Sequence, residues 1–174
     1  MKHFLIVVDM QTDFIDGSLG TPEAVAIKPA VIQTIHAFHG EIIATLDTHG
    51  ENYLQTAEGK NLPVLHCVKG TPGWQLDREI LSALESRGFI AVEKPTFGSL
   101  ILPQLIEDNA AGEDFEITLI GLCTDICVVS NALLLKARFH EKQIMVDSTC
   151  CAGVTPEKHQ AALEVMQSCH IPII

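Results

Sequence analysis

Three side chains of complementary chemistry each follow a short apolar run of this sequence. Asp9 follows the first run, Lys94 a later one, and Cys127 stands a few residues beyond a third. An acid beside a thiol can take the thiol proton and later return it to a leaving group. An ammonium between them favours the charged form of both. The three residue types therefore predict nucleophilic catalysis by Cys127, with Asp9 as the acid–base group and Lys94 as the electrostatic partner.

Cys127 stands where an apolar run passes into a helical stretch, in the segment Gly121–Val129. At a helix N-terminus, unpaired N–H groups and the helix dipole lower a thiol pKa, and the same N–H groups can stabilise an oxyanion. Two other interpretations stay open. A cysteine in an apolar helix is commonly a small buried hydrophobe. Cys123 and Cys127 could also form a metal-binding or redox pair.

The hydrophobic pattern alternates between short continuous runs and longer stretches with apolar spacings of three and four. The short runs predict six strands, at Phe4–Val8, Glu41–Leu46, Phe89–Val92, Phe115–Ile120, Gln143–Val146 and Ile171–Ile174. The longer stretches predict helices at Pro29–Phe38, Leu76–Ser86, Gly98–Asp108, Thr124–Phe139 and Pro156–Ser168, the last with Thr155 as N-cap. This alternation is typical of an α/β fold, here one domain over 1–174: a three-layer α/β/α sandwich around a mainly parallel, Rossmann-like six-stranded sheet.

In such a sheet, ligands bind outside the carboxyl ends of the strands. The predicted strand ends bring Asp9, Asp47, Lys94, Cys127 and Asp147 to one edge. The long Gly- and Pro-punctuated segments 10–27 and 48–75 are predicted to be functional loops near that edge.

Composition excludes several classes of partner. The 174 residues include 11 basic and 22 acidic side chains, a net charge of −11, which disfavours binding to nucleic acid or to an anionic membrane. No apolar run approaches the length needed to cross a bilayer. The six cysteines are expected to be free thiols, and the protein is expected to be cytoplasmic.

Ordered motifs along nearly the whole chain resemble those of the isochorismatase-like cysteine hydrolases, the family that includes nicotinamidases and related small amidohydrolases. They are Val8–Phe14 with Gly17-Ser18-Leu19, Asp47-Thr48-His49, His66–Gly73, Glu93–Phe97, Gly121–Val128, and Val146–Thr149 with Ala152-Gly153.

The resemblance implies a catalytic triad of Asp9, Lys94 and Cys127. In such hydrolases the thiolate attacks an amide carbonyl, ammonia leaves and water cleaves the thioester. The family also places a cis peptide before the nucleophile, here between Leu122 and Cys123. That turn aims the backbone N–H groups of Cys123 and Cys127 at the oxyanion.

The resemblance further implies a metal site at Asp47, His49 and His66, with Glu58 as a possible fourth ligand. Two imidazoles and a carboxylate suit zinc, with iron or manganese as alternatives. The alternative is that both histidines simply pack in loops. Phe14 is a candidate to face a substrate ring, and Phe97 and Trp74 are candidates to contribute to the pocket.

The leading functional hypothesis is a cysteine amidohydrolase that converts nicotinamide to nicotinate and ammonia. One alternative is a metal-free family member acting on another small amide, such as an N-carbamoyl or ureido compound. The other is a catalytically idle member that binds a small ligand. The apolar residues of the predicted helix Thr124–Phe139 exceed what one sheet contact requires and predict a homo-oligomer, although a wide core contact would also explain them.

Overall fold

The computed structural model describes all residues, 1–174, and contains one parallel sheet of five strands. The strands are β1 (Lys2–Val8), β2 (Glu41–Asp47), β3 (Ile90–Lys94), β4 (Phe115–Leu122) and β5 (Gln143–Ala152). Their order across the sheet is β3-β2-β1-β4-β5, and every neighbouring pair is parallel. The chain direction across the sheet therefore reverses beside β1, where open α/β sheets bind ligands.

Seven α-helices connect or flank the strands. They are α1 (Thr12–Ile15), α2 (Pro22–Ala37), α3 (Ala57–Asn61), α4 (Arg78–Arg87), α5 (Leu102–Ala110), α6 (Val129–Arg138) and α7 (Pro156–Ser168). A π-helical turn, Thr124–Val128, precedes α6. None of the helices is both long and apolar enough to span a lipid bilayer.

The two faces of the sheet are covered by different helices. Along β1, alternate residues face opposite sides: Phe4, Ile6 and Val8 pack with α5, α6 and α7, whereas Leu5 and Val7 pack with α2 and α4. All five side chains are fully buried, as expected of a central parallel strand covered on both faces. The predicted three-layer α/β/α architecture is thus confirmed.

The predicted sixth strand is wrong. Residues 171–174 form only one isolated parallel bridge, between Ile173 and Val146, and the sheet has five strands. Pro172 lacks an N–H group and cannot extend a ladder. The chain end is instead held by bonds such as Ile174 N–H to the Val146 carbonyl, at 2.9 Å.

The predicted end of β5 is also wrong. The strand continues past Asp147 to Ala152, so Asp147 lies within the strand rather than at the carboxyl edge of the sheet. The pairing register shifts in β5, because Leu119 pairs with Val146 but Gly121 pairs with Cys151, so β5 pairs again beyond the residue where its apolar run stops.

The carboxyl ends of β1 and β4 pack closely against each other. Gly121 has φ +115°, and a Cβ atom there would lie 2.1 Å from the Val8 carbonyl oxygen. Only glycine permits this approach. The segment that follows, Leu122–Val128, is consequently held directly beside Asp9 at the end of β1.

Candidate active site

Lys94 is the centre of a buried charged cluster at the carboxyl edge of the sheet. Its Nζ atom lies 2.6 Å from Asp9 Oδ2 and 3.4 Å from both Cys127 Sγ and Asp47 Oδ1, and it donates to the Thr96 carbonyl at 3.0 Å. Burial alone would lower the pKa of Lys94, but the negative charge of Asp9 raises it overall. The ammonium therefore stays charged, although the residue is only 1% exposed.

Asp9 leaves β1 in a left-handed backbone conformation, with φ +47°, which is uncommon for a non-glycine residue. Its Oδ1 atom accepts a 2.6 Å hydrogen bond from the Thr45 hydroxyl. Its Oδ2 atom has the ion pair with Lys94 but accepts no aligned hydrogen bond. Complete burial raises the pKa of Asp9, although Lys94 opposes that shift. Oδ2 is consequently the carboxylate oxygen available to a proton.

Cys127 lies inside the π-helical turn and is 4% exposed. Burial and the nearby charge of Asp9 raise its thiol pKa well above the ordinary value, despite Lys94. This direction is opposite to the lowered pKa expected from the helix N-terminus, because burial is the largest effect on the thiol. The resting side chain is a thiol that needs a base.

The turn before Cys127 presents a free backbone donor. The Leu122–Cys123 peptide bond is cis, as the family resemblance implies. The Cys123 N–H has no acceptor within the protein, whereas the Cys123 carbonyl accepts from Ile126 and Val128. An N–H without a partner beside the cavity is available to an incoming oxygen atom.

A second cluster lies next to Lys94. Asp47, His49, Glu58 and His66 each offer one ligand atom, and these atoms all lie within 4.8 Å of one another. His49 Nε2 is 2.9 Å from Asp47 Oδ2, and His66 Nε2 is 3.7 Å from Glu58 Oε1. Two imidazole nitrogens and two carboxylate oxygens match the donors that zinc, iron and manganese accept. The donor set therefore fits a divalent cation.

The charges of this cluster favour a cation. Burial alone would raise the pKa of Asp47, but the approach of His49 and His66 lowers it overall, so its carboxylate stays ionised. The Nδ1 atom of His66 lies 2.8 Å from the Val64 carbonyl, which can only accept, so Nδ1 carries the proton. Nε2 consequently faces the cluster, where the neutral imidazole would offer its lone pair to a cation.

Sequence analysis missed Gln11 and Thr45, the residues that hold these two clusters. The buried Gln11 amide pairs with the backbone of Asp47: Nε2 donates to its carbonyl at 2.8 Å and Oε1 accepts from its N–H at 2.7 Å. Thr45 fixes the Asp9 carboxylate. Gln11 belongs to the Val8–Phe14 motif and Thr45 precedes Asp47 by two, but only their side-chain contacts reveal their roles.

One cavity joins the thiol to the ligand cluster, with a volume of about 330 Å³ including its mouth. Phe14 and Phe97 line it, and so does Cys123. The other lining residues are Leu19, Asp47, Glu58, Leu62, His66, Ile126 and Cys127. Trp74 instead packs against the core and donates from Nε1 to the Thr48 hydroxyl at 2.9 Å. The walls are apolar and the polar groups converge at one end, as in small-molecule sites.

Residues 3–174 match the family model described as the isochorismatase domain. The chain belongs to the isochorismatase family. The resemblance carried by the ordered motifs is thus confirmed over nearly the full length.

Nicotinamidases and pyrazinamidases resemble the chain over nearly its full length. A nicotinamidase/pyrazinamidase from Mycobacterium tuberculosis is 29% identical over 183 aligned positions, covering 98% of this chain and 97% of that protein. The pyrazinamidase of Pyrococcus horikoshii in complex with zinc superposes with a TM-score of 0.80 at 28% identity, covering 100% and 99% of the two chains. The pyrazinamidase/nicotinamidase of Streptococcus mutans gives 0.84 at 26%, covering 99% and 100%. Together these matches indicate a hydrolase that acts on amide C–N bonds.

Proposed function

We propose that this isochorismatase-family chain forms one hydrolase domain over 1–174 and is a cysteine-dependent amidohydrolase that converts nicotinamide to nicotinate and ammonia. The observation that carries the proposal is the position of one buried ammonium, Lys94 Nζ, 2.6 Å from the Asp9 carboxylate and 3.4 Å from the Cys127 sulfur, beside a cavity for a small molecule. A thiol, a base and a fixed cation in contact constitute an activated nucleophile.

In the first half of the reaction, Asp9 Oδ2 takes the proton of Cys127 as the sulfur attacks the amide carbonyl carbon. The carbonyl oxygen becomes an oxyanion that the N–H groups of Cys123 and Cys127 stabilise. Collapse of this intermediate breaks the C–N bond, and Asp9 returns the proton to the leaving nitrogen. Ammonia departs and a thioester to Cys127 remains.

In the second half, water attacks the thioester carbonyl carbon and gives a proton to Asp9. The same two N–H groups stabilise the second oxyanion. The C–S bond then breaks, and the sulfur recovers the proton from Asp9 as the carboxylic acid product forms. Lys94 stays charged throughout and lowers the cost of a negative charge on Asp9 or sulfur as the proton moves.

Asp47, His49, Glu58 and His66 would hold a divalent cation beside this machinery, and zinc is the metal we propose. Such an ion supplies a Lewis acid that can bind an electron-pair donor of the substrate. The zinc complex of the similar Pyrococcus horikoshii protein supports this assignment. Phe14 and Phe97 offer the two aromatic faces in the cavity for a flat heteroaromatic ring.

The decisive experiment is ammonia release from nicotinamide and a panel of small amides, with wild type beside Cys127→Ala. We expect turnover of nicotinamide and a loss of at least about a thousandfold in the variant, because Cys127 is the cavity thiol that lies against Lys94. Cys169→Ala is the matched control, since Cys169 is exposed and lies outside the cavity. Full activity of Cys127→Ala would disprove the thioester route.

Two alternatives give different results in the same assay. A metal-free enzyme for N-carbamoyl or ureido compounds would release ammonia from those substrates alone and would contain no bound metal after purification without chelators. An idle binding protein would release none from any amide. The four convergent ligand atoms favour the metal-dependent enzyme over both.

A further inference from the structure

Asn131 is a polar residue on the core-facing side of α6, between Val128, Ala132 and Leu135, all of them buried. Its own exposure is 0%. Burial of a carboxamide is unfavourable unless each polar atom is hydrogen-bonded. The partners of Asn131 therefore indicate what the residue does.

All three partners are backbone groups next to the cavity. The Nδ2 group donates to the Cys127 carbonyl at 2.8 Å and to the Phe97 carbonyl at 3.2 Å. The Oδ1 atom accepts from the Ser99 N–H at 2.9 Å. One side chain thus connects the nucleophile's own backbone to the loop that carries Phe97 across the cavity.

That loop has few other restraints. Residues 95–100, between β3 and α5, take part in no backbone–backbone hydrogen bond. Apart from Asn131, three contacts hold it: Lys94 Nζ donates to the Thr96 carbonyl, the Ser99 hydroxyl accepts from the Leu102 N–H at 3.3 Å, and Gly98 packs closely on α6, where a Cβ atom would lie 2.5 Å from Leu134 Cδ1. A segment without backbone pairing opens easily, so side-chain hydrogen bonds set its position.

We propose that Asn131 is a positioning residue that fixes the separation between the Phe97 wall and the Cys127 thiol, and so selects amides whose ring fits that gap. This assignment deepens the proposed amidase function and rests on it for the choice of substrate. Phe97 contacts the ring in the ground state and the transition state alike. Loss of the restraint should therefore weaken substrate binding while the chemical step continues.

Two substitutions separate the restraint on the loop from the hydrogen bond to the π-helical turn. Asn131→Ala removes all three hydrogen bonds. Asn131→Ser keeps a hydroxyl that can donate to the Cys127 carbonyl one turn back but is too short to reach the loop. Asn109→Ala is the matched control, because Asn109 makes the same one-turn-back bond, to the Leu105 carbonyl at 2.8 Å, on α5.

For nicotinamide hydrolysis, we expect KM to rise about fivefold to tenfold in both Asn131 variants while kcat changes by less than about twofold. Asn109→Ala should change neither constant. A residue that only stabilises the fold would lower Tm and leave KM of the folded enzyme unchanged. Unchanged KM in Asn131→Ser and Asn131→Ala would therefore overturn the proposal.

A second measurement tests access to Cys127 past Phe97 and does not depend on amidase activity. Cys127 is alkylated with iodoacetamide and with the bulkier N-phenylmaleimide, and peptide mass mapping gives each rate at that cysteine. The ratio of the bulky to the small rate should rise about threefold or more in both Asn131 variants, because a released loop opens the gap. An unchanged ratio contradicts the restraint. Absence of amide turnover by wild type, with a raised ratio, would instead reject the amidase proposal and keep the restraint.

Discussion

At the scale of single residues, the site is dominated by the sharing of one ammonium among several acids. Lys94 faces the carboxylates of Asp9 and Asp47 and the thiol of Cys127, and all four side chains are buried. Two carboxylates and one ammonium leave a net negative charge, which resists a further negative charge on sulfur. The thiol proton should therefore leave only as the sulfur begins to bond to carbon.

The raised pKa values of Cys127 and Asp9 predict the pH dependence of the site. Because the pKa of the Cys127 thiol is raised, its alkylation by iodoacetamide should increase with pH around a midpoint above that of free cysteine.

Because the pKa of Asp9 is raised, kcat/KM should fall as pH drops through a value above 3.8, the ordinary value for an aspartate carboxyl group. Alkylation rates and a pH–rate profile measure both.

Glutathione in the same solution is the reference for alkylation, and mass mapping separates Cys127 from the exposed Cys169. A Cys127 midpoint below that of glutathione would mean that the resting site holds a thiolate. In that case Asp9 would already carry the thiol proton before substrate binds, and the order of the first proton transfer would change.

At the scale of elements, the site depends on strands that approach one another unusually closely and on loops that converge over their ends. Val8 pairs with Thr45 on one side and Gly121 on the other, so the ends of β2 and β4 lie on either side of Asp9. Helix α3 and the segment after it supply Glu58 and His66 to the second cluster. The ends of neighbouring strands, helix α3 and the segment after it therefore bring their side chains close together.

Gly121→Ala tests the close approach of β1 and β4. The new Cβ would collide with the Val8 carbonyl and would need φ +115°, so we expect the free energy of unfolding to fall by roughly 3 kcal/mol. Gly112→Ala is the control, because Gly112 has φ +82° but open space around it, and should cost roughly 1 kcal/mol. Urea unfolding measures both. Equal losses would show that backbone conformation alone accounts for the effect.

The ligand cluster predicts that a metal joins β2, α3 and the following loop. Wild type purified without chelators should contain about one equivalent of divalent metal by elemental analysis, and His66→Ala should retain at least about tenfold less. A chelator should then lower Tm of wild type and leave that of the variant unchanged, because only bound metal adds stability. Glu51→Gln is the control, since Glu51 is a nearby exposed acid outside the cluster. Metal-free wild type would contradict the assignment.

At the scale of the whole molecule, the excess of acid and the apolar surface of α6 have different consequences. A net charge of −11 gives the protein a negative field, which opposes association with polyanions. In α6, Leu135 is buried and Val129 and Leu133 pack against the core. The fold therefore uses much of the apolar surface that suggested an oligomer.

The homo-oligomer stays a prediction. We expect light scattering after size-exclusion chromatography to give at least twice the chain mass of 18.9 kDa, because Leu100 and Ile101 leave further apolar side chains exposed. A dilution series distinguishes a stable assembly from a transient one. A mass of 18.9 kDa at all concentrations would show that the core contacts account for the composition of α6.

Local signals in the sequence predict helix boundaries where capping residues set them. The helix Pro156–Ser168 was predicted to the residue, because Thr155 caps it and Pro156 occupies its first position. The similar signal of Thr21 and Pro22 was missed because Pro29 suggested a helix start, whereas α2 continues through it. Packing of α2 on the sheet compensates for the hydrogen bond that Pro29 cannot make.

The sequence by itself determined the family, the alternation of strands and helices, and which acid, ammonium and thiol meet at the edge of the sheet, since each leaves a contiguous motif. Only the tertiary structure decided that the thiol is buried enough to have a raised pKa, that Thr45 and Gln11 hold the acids, and that Asn131 reaches the Phe97 loop. Short-range spacing reports the backbone preference and burial of each segment. Distances between side chains far apart in the chain are set by packing, which no local pattern encodes.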